Sequence, residues 1–522
     1  MQRRAFLAVT AATLAAPAVH AQPAKVIKFA PQADLALLDP HFAPALVTRN
    51  HAYLVYDTLY GVDDAAQPRP QMAAGHVVED NGLTWKITLR DGLRFHDNTP
   101  VLARDVVASL KRWATRDVYA SSVWGQVEEV SAPSDKVVQF RLKKPFRLLA
   151  DMLGKQNPFA PVIMPERLAS TPPAQQVTEI VGSGPFRYLA NERVAGSRNV
   201  YEKWPGYVPR QEPAIGSTGG KVVHVDRVEW HTIPDPATAA AALQSGEIDW
   251  WEQPTADLLP TLRRRQGVTV DIIDTLGYNA VMRFNHLHPP FNNLALRRAI
   301  ALGLPQEDYM RAVTANDESL FTTCKALFPC GTRYGQEIGK AVIQGDLAAA
   351  RAAVKNSGYN GEKIVLLNPA DVPSIAPFGH VTYDYFRKLG LNVELADTDW
   401  GSLVQRRNSK EPVEKGGWSV FHTWWFGTSL AHPAISNIIR GLGARGWAGW
   451  YENAKVESLT AEWLAAAAEA DRDRLAAAIH QETMETLPSL PLGRFFINTA
   501  YRKDLKGMLE GTSPVPWNLE WA

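Results

Sequence analysis

The chain has 522 residues, 46% apolar and 21% charged, with 55 Lys and Arg against 54 Asp and Glu for a net charge of +1. That length is too great for one core and sets an expectation of two or three domains. The balanced charge, with no basic block, excludes a chain that holds nucleic acid or an anionic membrane surface through a basic patch.

The N-terminus reads as a targeting segment. Met1-Gln2-Arg3-Arg4-Ala5-Phe6-Leu7 sets two arginines before the apolar run Ala8–Val19, and Val19-His20-Ala21 offers small residues to a signal peptidase. Arg-Arg-x-Phe-Leu resembles a twin-arginine signal, with a Sec-type signal as the alternative. No later stretch is long and apolar enough to span a bilayer. The mature chain is expected to begin near Gln22, soluble outside the cytoplasm.

Val26–Ala30 reads as a strand, Asp34–Pro40 as a loop or edge segment and Asn50–Leu59 as a short helix. Trp85, Ile87 and Leu89 alternate with polar residues, the period of a half-buried strand. Ala103, Val106, Val107 and Leu110 recur at helical spacing, and Val138, Phe140 and Leu142 alternate again, so residues 63–181 form a small α+β unit. Gly182-Ser183-Gly184-Pro185 is a sharp turn. Gly216–Gly220 lacks the spacing of a phosphate loop and reads as a surface loop. Val222–Ile233, Ala237–Ser245 and Ile248–Trp251 make a strand–helix–strand unit with Gly246 as the helix C-cap.

Tyr278–Phe284 reads as a buried strand. A Pro- and Asn-rich turn follows, then a helix with Asn293 as N-cap and Leu296, Ala299, Ile300 and Leu304 inward. This is either a handover between two lobes or an ordinary strand–loop–helix within one. His286-Leu287-His288 precedes two prolines and reads as a solvated turn, not a metal site. Cys324 and Cys330 are the only cysteines. Two cysteines so close in an exported chain are expected to pair, for a gain of about 2 kcal/mol.

Strands at Ile364–Leu367, Leu391–Leu395 and Trp418–Phe421 alternate with helices at Ile375–Leu389 and Trp400–Arg407, which predicts a mainly parallel sheet. Ligands sit beyond the carboxyl ends of such strands. There the chain places Trp424-Trp425-Phe426, three rings that a strand cannot all turn inward. Rings at such a strand end stack on planar, apolar or cationic ligand groups. Arg407 could meet a carboxylate bidentately, and His422 reads as a supporting histidine. Ala461–Met484 reads as one long helical region, and Leu492–Asn498 as a strand returning to the first lobe. Gly-x-Ser-x-Gly, His-Glu-x-x-His, paired Cys-x-x-Cys and Walker signatures are absent.

Several blocks in order resemble the family 5 extracellular solute-binding proteins of ABC importers, the group of oligopeptide-, dipeptide- and nickel-binding proteins. They are Trp85 to Asp97 with Ala103 to Val106, Gly182–Pro185 with Arg198 to Tyr201, Ser245 to Asp249, and Pro290-Phe291 with Arg297-Arg298-Ala299. The resemblance implies an α/β, two-lobed periplasmic-binding-protein-like fold of type II, in its large cluster, with an extra α+β subdomain. Lobe I would comprise residues 25–62, 182–282 and 490–522, the extra subdomain 63–181 and lobe II 283–489, after a signal peptide over 1–21. It implies a periplasmic, monomeric receptor that needs no cofactor and binds no nucleic acid. Its partners would be a small-molecule or peptide ligand and the membrane subunits of an ABC permease.

Residue by residue, Asp34-Leu35-Ala36 resembles the segment that pairs with an extended ligand, and Trp250-Trp251 matches a ligand-contacting position. Trp400 and Arg407 resemble the pocket tryptophan and arginine, and Trp424, Trp425, Phe426, Thr428 and Ser429 resemble the block before His432-Pro433. Peptide binders of the family place an aspartate in that block for the ligand's α-ammonium, whereas this chain has no acid between Glu414 and Glu452. A buried ammonium without a carboxylate is penalised, so either Asp34 takes that role or the ligand lacks a free amino terminus. The alternatives are a non-peptide ligand (an opine, a conjugated sugar or a metal chelate), a secreted hydrolase, or a chaperone-like aromatic cleft.

Overall fold

A computed structural model describes residues 24–42, 45–63, 67–156 and 159–522. The expected export signal over 1–21 lies outside those residues. Three larger sheets organise the described chain.

The first sheet has seven strands in the order Phe186–Tyr188, Arg198–Lys203, Arg227–His231, Val26–Ala30, Trp250–Trp251, Thr499–Arg502 and Val268–Asp271. Val26–Ala30 turns Ile27 and Phe29 into the core and runs parallel to both neighbours. The helix Pro236–Ser245 links those neighbours. Asp235 Oδ1 accepts from Thr238 N–H at 2.7 Å, and Gly246 ends the helix at φ 79°, as the sequence predicts.

The second sheet has six strands in the order Phe321–Thr322, Ser489–Phe495, Tyr278–Phe284, Val420–Phe426, Ile364–Pro369 and Val393–Thr398. It is mixed, not mainly parallel: Ile364–Pro369 is parallel to both neighbours, but Tyr278–Phe284 is antiparallel to both of its own. Local strand–helix alternation fixes only the parallel part, because the antiparallel strands come from distant chain segments. Ser489–Phe495 belongs here, which corrects the expected return of Leu492–Asn498 to the first lobe. Leu490, Leu492 and Phe495 are buried in the second core, and Gly493 at φ 122° lies against Met310, where a Cβ would come within 2.7 Å of its side chain. By the same pairing all of Tyr278–Phe284 lies in the second sheet, so the expected boundary at 282 falls too late.

The third sheet is antiparallel, in the order Ala73–Glu79, Thr84–Leu89, Val137–Leu142 and Val127–Ser134, with the helix Ala103–Ala114 packed on it. Its buried side chains are contiguous with those of the second sheet. Ala160, Val162, Met164 and Leu168 instead join the core beneath the first sheet.

Two connections join the first and second sheets, residues 272–277 and 496–498. They touch: Gly277 has φ 62°, and a Cβ there would lie 3.0 Å from the Phe496 ring. Further corrections follow from packing. The glycine-rich loop is not a surface loop, since Ser217, Thr218 and Lys221 are buried and Lys221 Nζ meets Asp57 Oδ1 at 2.8 Å. The region 461–484 is two helices, Ala454–Ala465 and Glu469–Thr486, and Arg472 closes the break by donating to the Ala466 carbonyl at 3.0 Å. The His286–His288 turn is packed down, with its imidazoles against the carbonyls of Pro488 (3.0 Å) and Lys410 (2.8 Å).

Candidate functional site

Val420–Phe426 is central in the second sheet and carries the aromatic run out of the core. Strand alternation sends Trp424 and Phe426 to one face and Trp425 to the other. Trp424 is half-buried, 4.6 Å from the Tyr278 ring, with its Nε1–H donating to Ser374 Oγ at 3.1 Å. Phe426 receives the Arg49 guanidinium at 5.0 Å, so a side chain of the first helix, Leu46–Val55, reaches the second sheet. Trp425 is half-buried 5.4 Å from Trp447, and its Nε1–H is buried without an acceptor.

Trp400 and Arg407 stand at the ends of the short helix Trp400–Arg406, capped by Asp399, whose Oδ1 accepts from Ser402 N–H at 2.9 Å. The Arg407 guanidinium lies 5.3 Å from the Trp400 ring and 5.4 Å from Phe421. Burial lowers its pKa to about 10, and its Nε–H has no acceptor. Phe421 touches Trp447 at 5.4 Å, so the rings form one wall from Trp400 to Trp425. Arg283 braces that wall from behind, 4.9 Å from Trp447, with its guanidinium donating to the carbonyls of Ala448, Ile438 and Pro488.

Two small cavities lie where this region meets the rest of the chain. One, of about 40 Å³, is lined by Trp425 and Ser429 of the second-sheet unit and by Arg116, Asp117, Tyr119 and Lys155 of the third-sheet unit. The other, of about 20 Å³, is lined by Thr428 opposite Gln156, Asp274, Gly216 and Thr512. Lys155 and Gln156 are neighbours in the chain but line different cavities, and so do Thr428 and Ser429. The cavities therefore flank one contact between the same two segments. His432 Nε2 reaches Asp151 at 3.0 Å across the same junction. A wider, open groove of about 920 Å³ lies elsewhere, along the first sheet's edge near Arg264 and Lys503.

Not every expected ligand residue reaches this junction. Trp250 is 1% exposed, packed edge-on to Phe29 and donating to Thr499 Oγ1 at 2.6 Å, and Trp251 packs in the core on the opposite face with Leu243 and Leu262. Both are core residues, because a strand in mid-sheet buries both faces. Leu35 is fully buried in the first core, Ala36 is exposed, and Asp34 is half-buried with Oδ1 unpartnered. None of the three lines either cavity. His422 is buried against Thr382 Oγ1 at 2.8 Å, and burial lowers its pKa to about 3. Cys324 and Cys330 form a disulfide.

Sequence reasoning missed Arg116, Asp117, Lys155 and Asp274. Nothing in their local pattern marks them, since each reaches the junction only through the packing of separate units. Among the described residues no cluster of His, Cys, Asp or Glu is arranged to hold a metal.

The model of the bacterial extracellular solute-binding proteins, family 5 Middle, matches residues 67–446. The probable peptide ABC transporter periplasmic-binding protein y4tO of Sinorhizobium fredii is 35% identical, covering 94% of this chain and 92% of that one. Among solved structures, AgaA of A. tumefaciens R10 with agropinic acid aligns at a TM-score of 0.79 and 19% identity over 95% of this chain and 99% of that one. DppA of Helicobacter pylori with the peptide STSA aligns at 0.78 and 20% identity over 95% and 98%.

Proposed function

The chain belongs to the bacterial extracellular solute-binding proteins of family 5, and from that premise we propose that it captures a peptide or peptide-like solute between two lobes and hands it to an ABC permease. It is a binding receptor of an importer, not an enzyme. The first lobe carries the seven-stranded sheet, the second carries the six-stranded sheet, and residues 272–277 and 496–498 are the hinge. The third-sheet unit stands beside the cleft and supplies one of its walls. The solute favours the closed form because only there do both sides touch it. Residues 1–21 direct export to the periplasm.

The observation that carries this reading is the pair of cavities flanking one inter-unit contact, with Trp425, Thr428 and Ser429 on one side and Lys155 and Gln156 on the other. Trp425 supplies a face for stacking and an unused donor. The test is mass spectrometry of the solute that co-purifies with the native protein, followed by calorimetry of that solute on wild type and Trp425→Ala. Loss of a stacked, desolvated ring weakens binding by about 30-fold, from about 2 kcal/mol. Unchanged affinity contradicts the assignment.

A second reading replaces the peptide by a solute without a free amino terminus, such as an opine. It is supported by the absence of an acid between Glu414 and Glu452 and by the likeness to AgaA.

A further inference from the structure

The hinge holds a carboxylate that the fold uses by halves. Asp274 Oδ1 accepts from the backbone N–H groups of Leu276 and Gly277, both at 3.1 Å, and so shapes the crossing between the sheets. Oδ2 is buried with no hydrogen-bond partner, and the residue lines the smaller cavity opposite Thr428. An isolated buried charge is kept only where a partner compensates it.

Among the described residues six charged or titratable groups surround Asp274. Arg49 comes from the first helix, Glu252 follows Trp250–Trp251, and Tyr278 and Arg494 lie on strands of the second sheet. Asp63 and Glu510 line the same cavity, Asp63 paired with Arg69 at 2.9 Å and Glu510 exposed. Arg49 donates to the Thr512 carbonyl at 2.6 Å and to Asn50 Oδ1 at 2.8 Å. Arg494 donates to the Cys330 carbonyl at 2.8 Å and lies over Phe496. Glu252 is held by Asn50 and by the Gln32 backbone N–H, both at 2.8 Å. Neither guanidinium group hydrogen-bonds Oδ2. The larger cavity, by contrast, presents cations, Arg116 and the Lys155–Asp117 pair.

We infer that Asp274 is the residue that receives the ammonium group of the solute, in place of the aspartate missing from the Trp424–Ser429 block. This rests on the peptide reading above and deepens it: the solute is one with a free primary ammonium at the hinge end of the cleft. Of the other acids, Asp63 and Glu510 share the cavity but have no buried oxygen without a partner, and Asp34 has one unpartnered oxygen but lines neither cavity. Because Asp274 sits on the crossing itself, the contact that recognises the ammonium also fixes the angle between the lobes.

The test uses the full mature protein washed free of solute, as wild type, Asp274→Asn and Asp34→Asn. Each is incubated with a tripeptide library and with the same library N-acetylated, and retained peptides are counted by mass spectrometry after gel filtration. Asparagine keeps the Oδ1 acceptor of the turn, so the ligand-free melting temperature of Asp274→Asn reports that the variant is folded. Wild type is expected to retain free-amino peptides at least 10-fold over acetylated ones. Asp274→Asn is expected to lose that retention at least 10-fold, while Asp34→Asn keeps it. Equal retention of both libraries by wild type, undiminished retention by Asp274→Asn, or loss in Asp34→Asn alone overturns the inference and leaves the peptide reading standing. Retention of neither library by wild type overturns the peptide reading itself.

Discussion

Arg407 shows how one side chain draws its role from its neighbours. Its guanidinium is stacked on Trp400 and Phe421 and partly desolvated, with Nε–H lacking an acceptor. We propose that it favours an anionic group of the solute. Arg407→Ala is expected to weaken carboxylate-bearing solutes by about 10-fold more than their amides, a difference of about 1.4 kcal/mol. Equal losses for both by calorimetry would remove that role. Lys221 is a structural counterpart. Its ammonium is fully buried between Asp57 at 2.8 Å and the Trp517 ring at 4.7 Å. Lys221→Met leaves the buried Asp57 carboxylate with neutral donors (Thr58 N–H, Gln71 and Tyr207) in place of its cation and is expected to cost about 3–5 kcal/mol in urea denaturation. A cost within 0.5 kcal/mol, about that of an ordinary surface change, would contradict the pairing.

At the scale of elements, the two crossings decide what the lobes can do. Gly277 sits at φ 62°, and a Cβ there would lie only 2.9 Å from the Phe495 carbonyl oxygen and 3.0 Å from the Phe496 ring. Gly277→Ala is expected to destabilise the fold by about 1–3 kcal/mol and to alter ligand affinity through the hinge; an unchanged urea midpoint and affinity would show that the crossings are not in tight contact. Such contacts mark the limit of sequence reading. Asn293 as an N-cap, Gly246 as a C-cap and the alternation through Trp424–Phe426 were all legible, because each depends on near neighbours in the chain. The sheet that Ser489–Phe495 joins was not, because its partner is some 200 residues away in sequence. Trp250 and Trp251 are as hard to read: a Trp pair at a strand end looks like a ligand wall until residues of other elements, Phe29 on one face and Leu243 and Leu262 on the other, are seen to pack on it. Lys155 and Asp274 carry no local signature and meet the cleft only in three dimensions.

Over the whole molecule, burial sets the response to pH. Burial lowers the pKa values of His41, His96 and His480 to about 4 and of His51 and His422 to about 3, and holds His286 well below its usual value. These imidazoles are neutral in the fold, while in the unfolded chain they titrate near 6.5. Their contribution is fully present above pH 6.5 and is lost as pH falls below it, by about 1.4 kcal/mol per unit for each group down to its folded pKa. Glu252 and Asp274 act in the opposite sense, since burial raises them to about 7 and about 6 and protonation relieves them. Burial raises Asp105 and Asp249 as well, but six histidines outweigh four carboxylates, so urea stability is expected to drop between pH 6.5 and 4; a flat profile there would contradict the burial of the histidines. The central claim is closure of two lobes about a bound solute. Small-angle X-ray scattering of the solute-free protein, before and after addition of the solute that co-purifies with it, tests that most directly. The account predicts a smaller radius of gyration with solute bound, whereas superimposable profiles would contradict it.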